Sequence, residues 1–155
     1  MTSTNFTPLN RKRALLTFAL AYFAITILGT ALSFSISAVA HIPQTAEPMQ
    51  NRAYLLSEPL LPALNLLVWM ACAAFYFARR PASGREALNL GAFWLAVSLV
   101  CDYVFFVLIK NPISLSPHDF YIGQFPWIYL IYIAVFISPL CYVALSNAHQ
   151  KKQNA

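Results

Sequence analysis
The sequence predicts an all-α fold, an integral membrane four-helix bundle with both termini cytoplasmic, and three observations carry that reading. Of the 155 residues, 59% are hydrophobic and only 10% are charged, against about 25% charged in soluble domains. So few charges cannot cover a water-exposed globule. They are also bunched: residues 14–40, 59–78 and 125–148 hold none, and 87–109 hold only Asp102. Third, the basic residues segregate to one side of those four runs.

Each run is at least 20 residues long, which at about 1.5 Å per residue crosses a hydrocarbon core of about 30 Å. Only helices satisfy their own backbone polar groups at that depth. The expected spans lie near 14–37, 59–78, 87–109 and 126–146, in one transmembrane domain covering residues 1–155. The first is preceded by Arg11, Lys12 and Arg13. With Ala38-Val39-Ala40 behind it, this order also fits a cleaved signal peptide, but the 27 apolar residues from Ala14 exceed the usual stretch of about 7 to 15. A retained helix is therefore expected.

Loop one, His41 to Glu58, carries Pro43, Pro48 and a short stretch around Arg52 to Leu56 suited to the interface. Pro59 and Pro62 then open the second helix, where a missing N–H costs least. Arg79-Arg80-Pro81 ends it, and Ser83-Gly84 turns the chain into the third helix as an antiparallel neighbour. Loop three starts at Asn111-Pro112-Ile113. In it, Ser116 as N-cap, Pro117 at the first position, Asp119 at the third and Gly123 as a stop predict a short external helix. Phe120, Tyr121, Phe125, Trp127 and Tyr129 beside it read as an aromatic belt. Trp94 and Tyr22 read as mid-helix packing residues. Pro139 in the fourth helix frees a backbone carbonyl for a neighbouring side chain.

Four spans place both termini on one face, and the charges choose which. Arg11, Lys12, Arg13, Arg79, Arg80, Arg85, Lys151 and Lys152 are eight of the ten basic residues, leaving Arg52 and Lys110 for the other side. The positive-inside bias makes the basic face cytoplasmic. The net charge of +5 then orients the chain and attracts anionic headgroups. Its partners are the lipid bilayer and either a second copy of the chain or another membrane protein, with no nucleic acid, since no basic patch interleaves with base-stacking aromatics.

Asp102 is the one acidic residue within a span. A central charge costs about 2.5–3.5 kcal/mol on insertion scales, so such residues face the bundle interior and are often functional. Depth along the helices places Asn65, Tyr132, Thr30 and Ser33 at a similar level. Asp102, Asn65, Tyr132 and Ser33 are accordingly the expected ligand or proton site, against the plainer reading that Asp102 bonds Asn65 or Tyr132 and only fixes packing. A second candidate is an external-face site from His118 and Asp119 with His41, Glu47 and Glu58; no metal-ligand spacing supports it, and capping already accounts for Asp119.

Other chemistry lacks its residues. Cys72, Cys101 and Cys141 lie within spans without a Cys-x-x-Cys, which disfavours a disulfide oxidase and makes them packing residues. No histidine lies in a span for haem ligation, and neither a deep Ser/His pair nor a phosphate-cradling glycine loop occurs. No catalytic residue, metal or cofactor is expected. Gly29, Ser33 and Ser37, Ala92 and Ala96, and Ala134 and Ser138 recur at four-residue spacing, a pattern that lets helices approach closely, either within the bundle or across a dimer face; internal packing is the favoured use.

The stretch Leu90-Gly91-Ala92-Phe93-Trp94-Leu95, followed by Asp102 and Asp119-Phe120-Tyr121, resembles small four-span proteins of bacterial inner membranes with no assigned activity. The resemblance spans roughly half the chain and implies location but no reaction. The expected function is a non-enzymatic accessory or interaction subunit, or a small carrier, built around Asp102. The competing class is a membrane enzyme or redox component using His118 and Asp119.

Overall fold
The computed structural model describes residues 9–43, 45, 48–78, 80, 82–110 and 114–153. Glu47, Arg79, Pro81 and Asn111-Pro112-Ile113 lie outside the described residues. The elements are α1 (Arg11–Ala40), α2 (Arg52–Ser57), α3 (Leu61–Phe77), α4 (Gly84–Asp102) and α5 (Trp127–Gln153). No strand occurs among the described residues. A tight turn at Glu58–Leu60 joins α2 to α3, and a wide helical turn extends α4 over Tyr103–Leu108. Four of the resulting helices, Arg11–Ala40, Arg52–Phe77, Gly84–Leu108 and Trp127–Gln153, are long and apolar enough to cross a membrane, as a multi-pass membrane protein requires.

Side-chain caps set the starts. Asn10, Asn51 and Ser83 accept from the backbone N–H groups of Arg13, of Ala53 and Tyr54, and of Glu86, satisfying donors that the first turn leaves open. Pro59 and Pro62 sit at the openings of the Glu58–Leu60 turn and of α3. The second span therefore starts at Arg52 as a bent helix, seven residues before the expected Pro59. α1 ends at His41, whose left-handed φ of 53° terminates the helix and leaves its side chain exposed. In loop three the Ser116 hydroxyl accepts from the Asp119 N–H and donates to the Asp119 carboxylate. A short helix then runs over residues 117–123.

α5 packs on both α3 and α4, while α1 leans on α3 and meets α4 at few points. The terminal end of the bundle holds the larger core, with Phe18, Trp69, Tyr76, Leu90 and Trp94 buried together. Trp69 and Trp94 stand 5.0 Å apart between ring centroids, and the Trp94 Nε1–H donates to the Ala14 carbonyl. A smaller core of Val107, Phe120, Ile128 and Tyr132 occupies the opposite end. Phe120 is thus a core residue and not part of an interfacial belt; Phe125 and Tyr129 do face outward.

The close approach is between α4 and α5. A β-carbon at Gly91 would overlap the carbonyl oxygen of Phe136, so the helices meet there backbone to backbone. Ala92 and Ala96, favoured for an internal contact, are exposed: with Gly91 turned inward, the step of about 100° per residue carries Ala92 toward the outer face. Ala134 and Ser138 are buried as an internal row. Pro139 leaves the Val135 carbonyl without its helical N–H, and the Ser138 hydroxyl donates to that carbonyl at 2.9 Å.

Candidate functional site
α1 buries only Ala14, Thr17, Phe18 and Ala21. Beyond Tyr22 the helix stands off from α4, and at the far end it packs on α2. Its face toward the bundle there carries Thr26, Gly29, Thr30 and Ser33, which are too small to fill the gap. The result is a cavity of about 430 Å³ between α1, α3, α4 and α5. The expected close-packing row Gly29/Ser33 lies in the lining of this cavity instead, with the larger Ile25 and Phe34 of α1 beside it and the Leu61 side chain next to Gly29. Exposed Phe34 and Thr45 share the lining with buried Trp69 and Ser98, so the cavity runs from the protein surface inward. At the end remote from the termini, Gln124 donates to the Tyr54 hydroxyl at 2.9 Å, tying the segment after the short helix to α2.

Asp102 sits in the cavity wall at the end of α4. Its Oδ1 accepts from the Tyr22 hydroxyl at 2.7 Å and its Oδ2 from the Tyr132 hydroxyl at 2.9 Å. One carboxyl group thereby links α1, α4 and α5. No ion pair to Asp102 occurs among the described residues. A carboxyl group offers about four lone-pair positions, so the two phenols leave acceptor capacity for a ligand.

The expected polar layer forms only in part. Tyr132 bonds Asp102, but Asn65 is spent within its own helix: its Nδ2 donates to the Leu61 carbonyl, and its Oδ1 accepts from Trp69 Nε1. Thr30 returns its hydroxyl to the Thr26 carbonyl. Asn65, Thr30 and Ser33 nonetheless line the same cavity as Asp102. Tyr22, expected to be a packing residue, is the missed member; a phenol reaches several ångströms along the helix, so matching Cα depths alone selected Thr30 and Ser33 instead.

Glu58 and Ser98 were also underread. Glu58, grouped in the sequence with the external-face candidates, is 6% exposed, lines the cavity, and its Oε1 has no hydrogen-bond partner among the described residues. Ser98 lies one turn before Asp102 on α4, 3% exposed, and its Oγ is likewise unpartnered. Such orphaned groups cost about 1–3 kcal/mol each when buried.

The external-face candidates do not assemble into a comparable pocket. His118 and Asp119 are both exposed, 3.5 Å apart, on the short helix. The Asp119 carboxyl is held below the usual carboxylate range by the Ser116 hydroxyl that donates to it and by neighbouring His118. A second buried carboxylate occupies the terminal end: Glu86 accepts from the Tyr76 hydroxyl at 2.7 Å and pairs with Arg80 at 3.3 Å. Tyr76 in turn accepts from the Asn10 N–H at 3.1 Å, which fastens the chain before α1 to α3. Cys72, Cys101 and Cys141 are free thiols. Together these features define a helical bundle with four helices long and apolar enough to span a membrane and an acidic cavity between them. Comparison with known families, with curated proteins and with solved structures finds no match.

Proposed function
We propose that this protein is a small multi-pass protein of a bacterial inner membrane with both termini cytoplasmic, acting without catalysis as a carrier or ligand-binding accessory subunit. The cavity around Asp102 is its binding site. One observation carries the reading: a carboxyl group suspended between the Tyr22 and Tyr132 hydroxyls in the wall of a cavity of about 430 Å³, within the range of about 300–1,000 Å³ usual for small-molecule sites. A carboxyl kept only to fix helix packing requires no such space beside it.

Native mass spectrometry of the protein released from mild detergent tests this. Wild type is expected to retain a copurifying small molecule, or to take one up from a cell extract, whereas Ser33→Trp, which fills the cavity, and Asp102→Asn lose it. Equal occupancy in all three proteins, or none in wild type, refutes the site. The same spectra report whether a second copy or another membrane protein accompanies the chain. For topology, tags at either end are expected to be protected from external labelling in intact cells; labelling of either one overturns the orientation.

A further inference from the structure
We propose that the cavity selects an organic cation, an ammonium group on an apolar body, drawn by the two carboxyl groups of its wall, Asp102 and Glu58. This rests on the cavity being a binding site and adds the chemical class of its ligand. Three observations point to that class. Among the described lining residues two are acidic and none is lysine, arginine or histidine, so no cation among them answers either carboxyl group. Glu58 is nearly fully buried, and its Oε1 has no partner among the described residues; a carboxyl group so placed is either kept neutral by a proton or paired with a cation, and a cationic ligand supplies that pairing. The remaining lining is aromatic and apolar, with Trp69, Phe106 and Trp127 among it.

That combination discriminates among ligands. An anion meets two carboxyl groups and no donor cation. A bare metal ion leaves most of a cavity this size unfilled, and the aromatic faces contribute nothing to its coordination by oxygen. An ammonium with an apolar body satisfies both parts of the wall, since ring faces attract cations, most strongly when water is excluded. Asp102 keeps acceptor capacity on α4 beyond its two tyrosine bonds, and Glu58 adds a second carboxyl group to the wall from the turn before α3, with its Oε1, like Ser98 Oγ, set back from the cavity surface.

The test uses the full chain in dodecylmaltoside and three probes by equilibrium dialysis against empty-micelle controls: benzyltrimethylammonium, its uncharged carbon isostere neopentylbenzene, and the anion benzenesulfonate. The cation is expected to bind, with the isostere and the anion weaker by roughly ten-fold or more. Glu58→Gln and Asp102→Asn are each expected to weaken the cation by at least about ten-fold, as loss of one buried charge partner does, and to leave the isostere unaffected. Unchanged circular dichroism and melting temperature show that these variants are folded. If the isostere binds as well as the cation, and Ser33→Trp abolishes both, the cavity is a ligand site but the charge selection is wrong. If no probe binds above micelle controls, the ligand class and the site fail together.

Discussion

Replacing Asp102 by leucine removes the acceptor that two tyrosine hydroxyls share. Tyr132 is 7% exposed and Tyr22 half-buried, and neither phenol has another hydrogen-bond acceptor among the described residues. Interhelical hydrogen bonds within membranes average roughly 0.6 kcal/mol, so losing both costs about 1.2 kcal/mol. Should the stranded hydroxyls stay dry, the desolvation penalty of about 1–3 kcal/mol each governs instead. Asp102→Leu is therefore expected to lower stability by roughly 1–6 kcal/mol, measured as the shift in the SDS unfolding transition of the protein in dodecylmaltoside, followed by circular dichroism. A buried carboxyl deleted together with its partners is often neutral or better. The partners here remain. Asp102→Asn keeps an acceptor oxygen and is expected to lose less, while Asp102→Leu combined with Tyr22→Phe and Tyr132→Phe is expected to recover most of the deficit. A leucine variant as stable as wild type, with each Phe variant neutral, would refute the three-helix clasp.

Three further outcomes are expected. Gly91→Ala drives a β-carbon into the Phe136 backbone and is expected to cost about 1–3 kcal/mol, whereas Gly29→Ala, whose nearest neighbour is the flexible Leu61 side chain at 3.4 Å, is neutral or gains helix propensity; equal effects in the same unfolding assay would contradict the asymmetry. Glu86→Ala removes the acceptor of Tyr76 and the partner of Arg80, at roughly 1–3 kcal/mol, and hydrogen exchange should quicken at residues 10–14; unchanged exchange there argues against the clasp. Because the Asp119 carboxyl is lowered by Ser116 and His118, its capping contribution is complete above the ordinary aspartate value of about 4 and is lost as pH falls through the lower folded value. NMR titration of the amides of residues 117–120 should show that low midpoint and its rise in Ser116→Ala; a midpoint unchanged by the substitution removes the cap from the explanation.

Helix number, approximate extent and capping were legible from the chain, because apolar run length and the demand for backbone pairing are one-dimensional properties. Ser116, Pro117 and Asp119 announced a local cap that involves no distant partner, and Pro139 announced a freed carbonyl that Ser138 takes up one residue away. Asp102 stood out by cost alone, as the one charge in an otherwise uncharged run. What it touches depends on helix tilt and rotation, which periodicity leaves open when helices are apolar all round. Hence Tyr22 replaced Asn65 as the second partner, Glu58 moved from a loop grouping into a cavity wall, and Gly91 took the contact expected of Ala92 and Ala96. The cavity itself is the clearest case: small residues at Gly29 and Ser33 are equally compatible with tight packing and with empty space, and only the divergence of α1 from α4 decides between them.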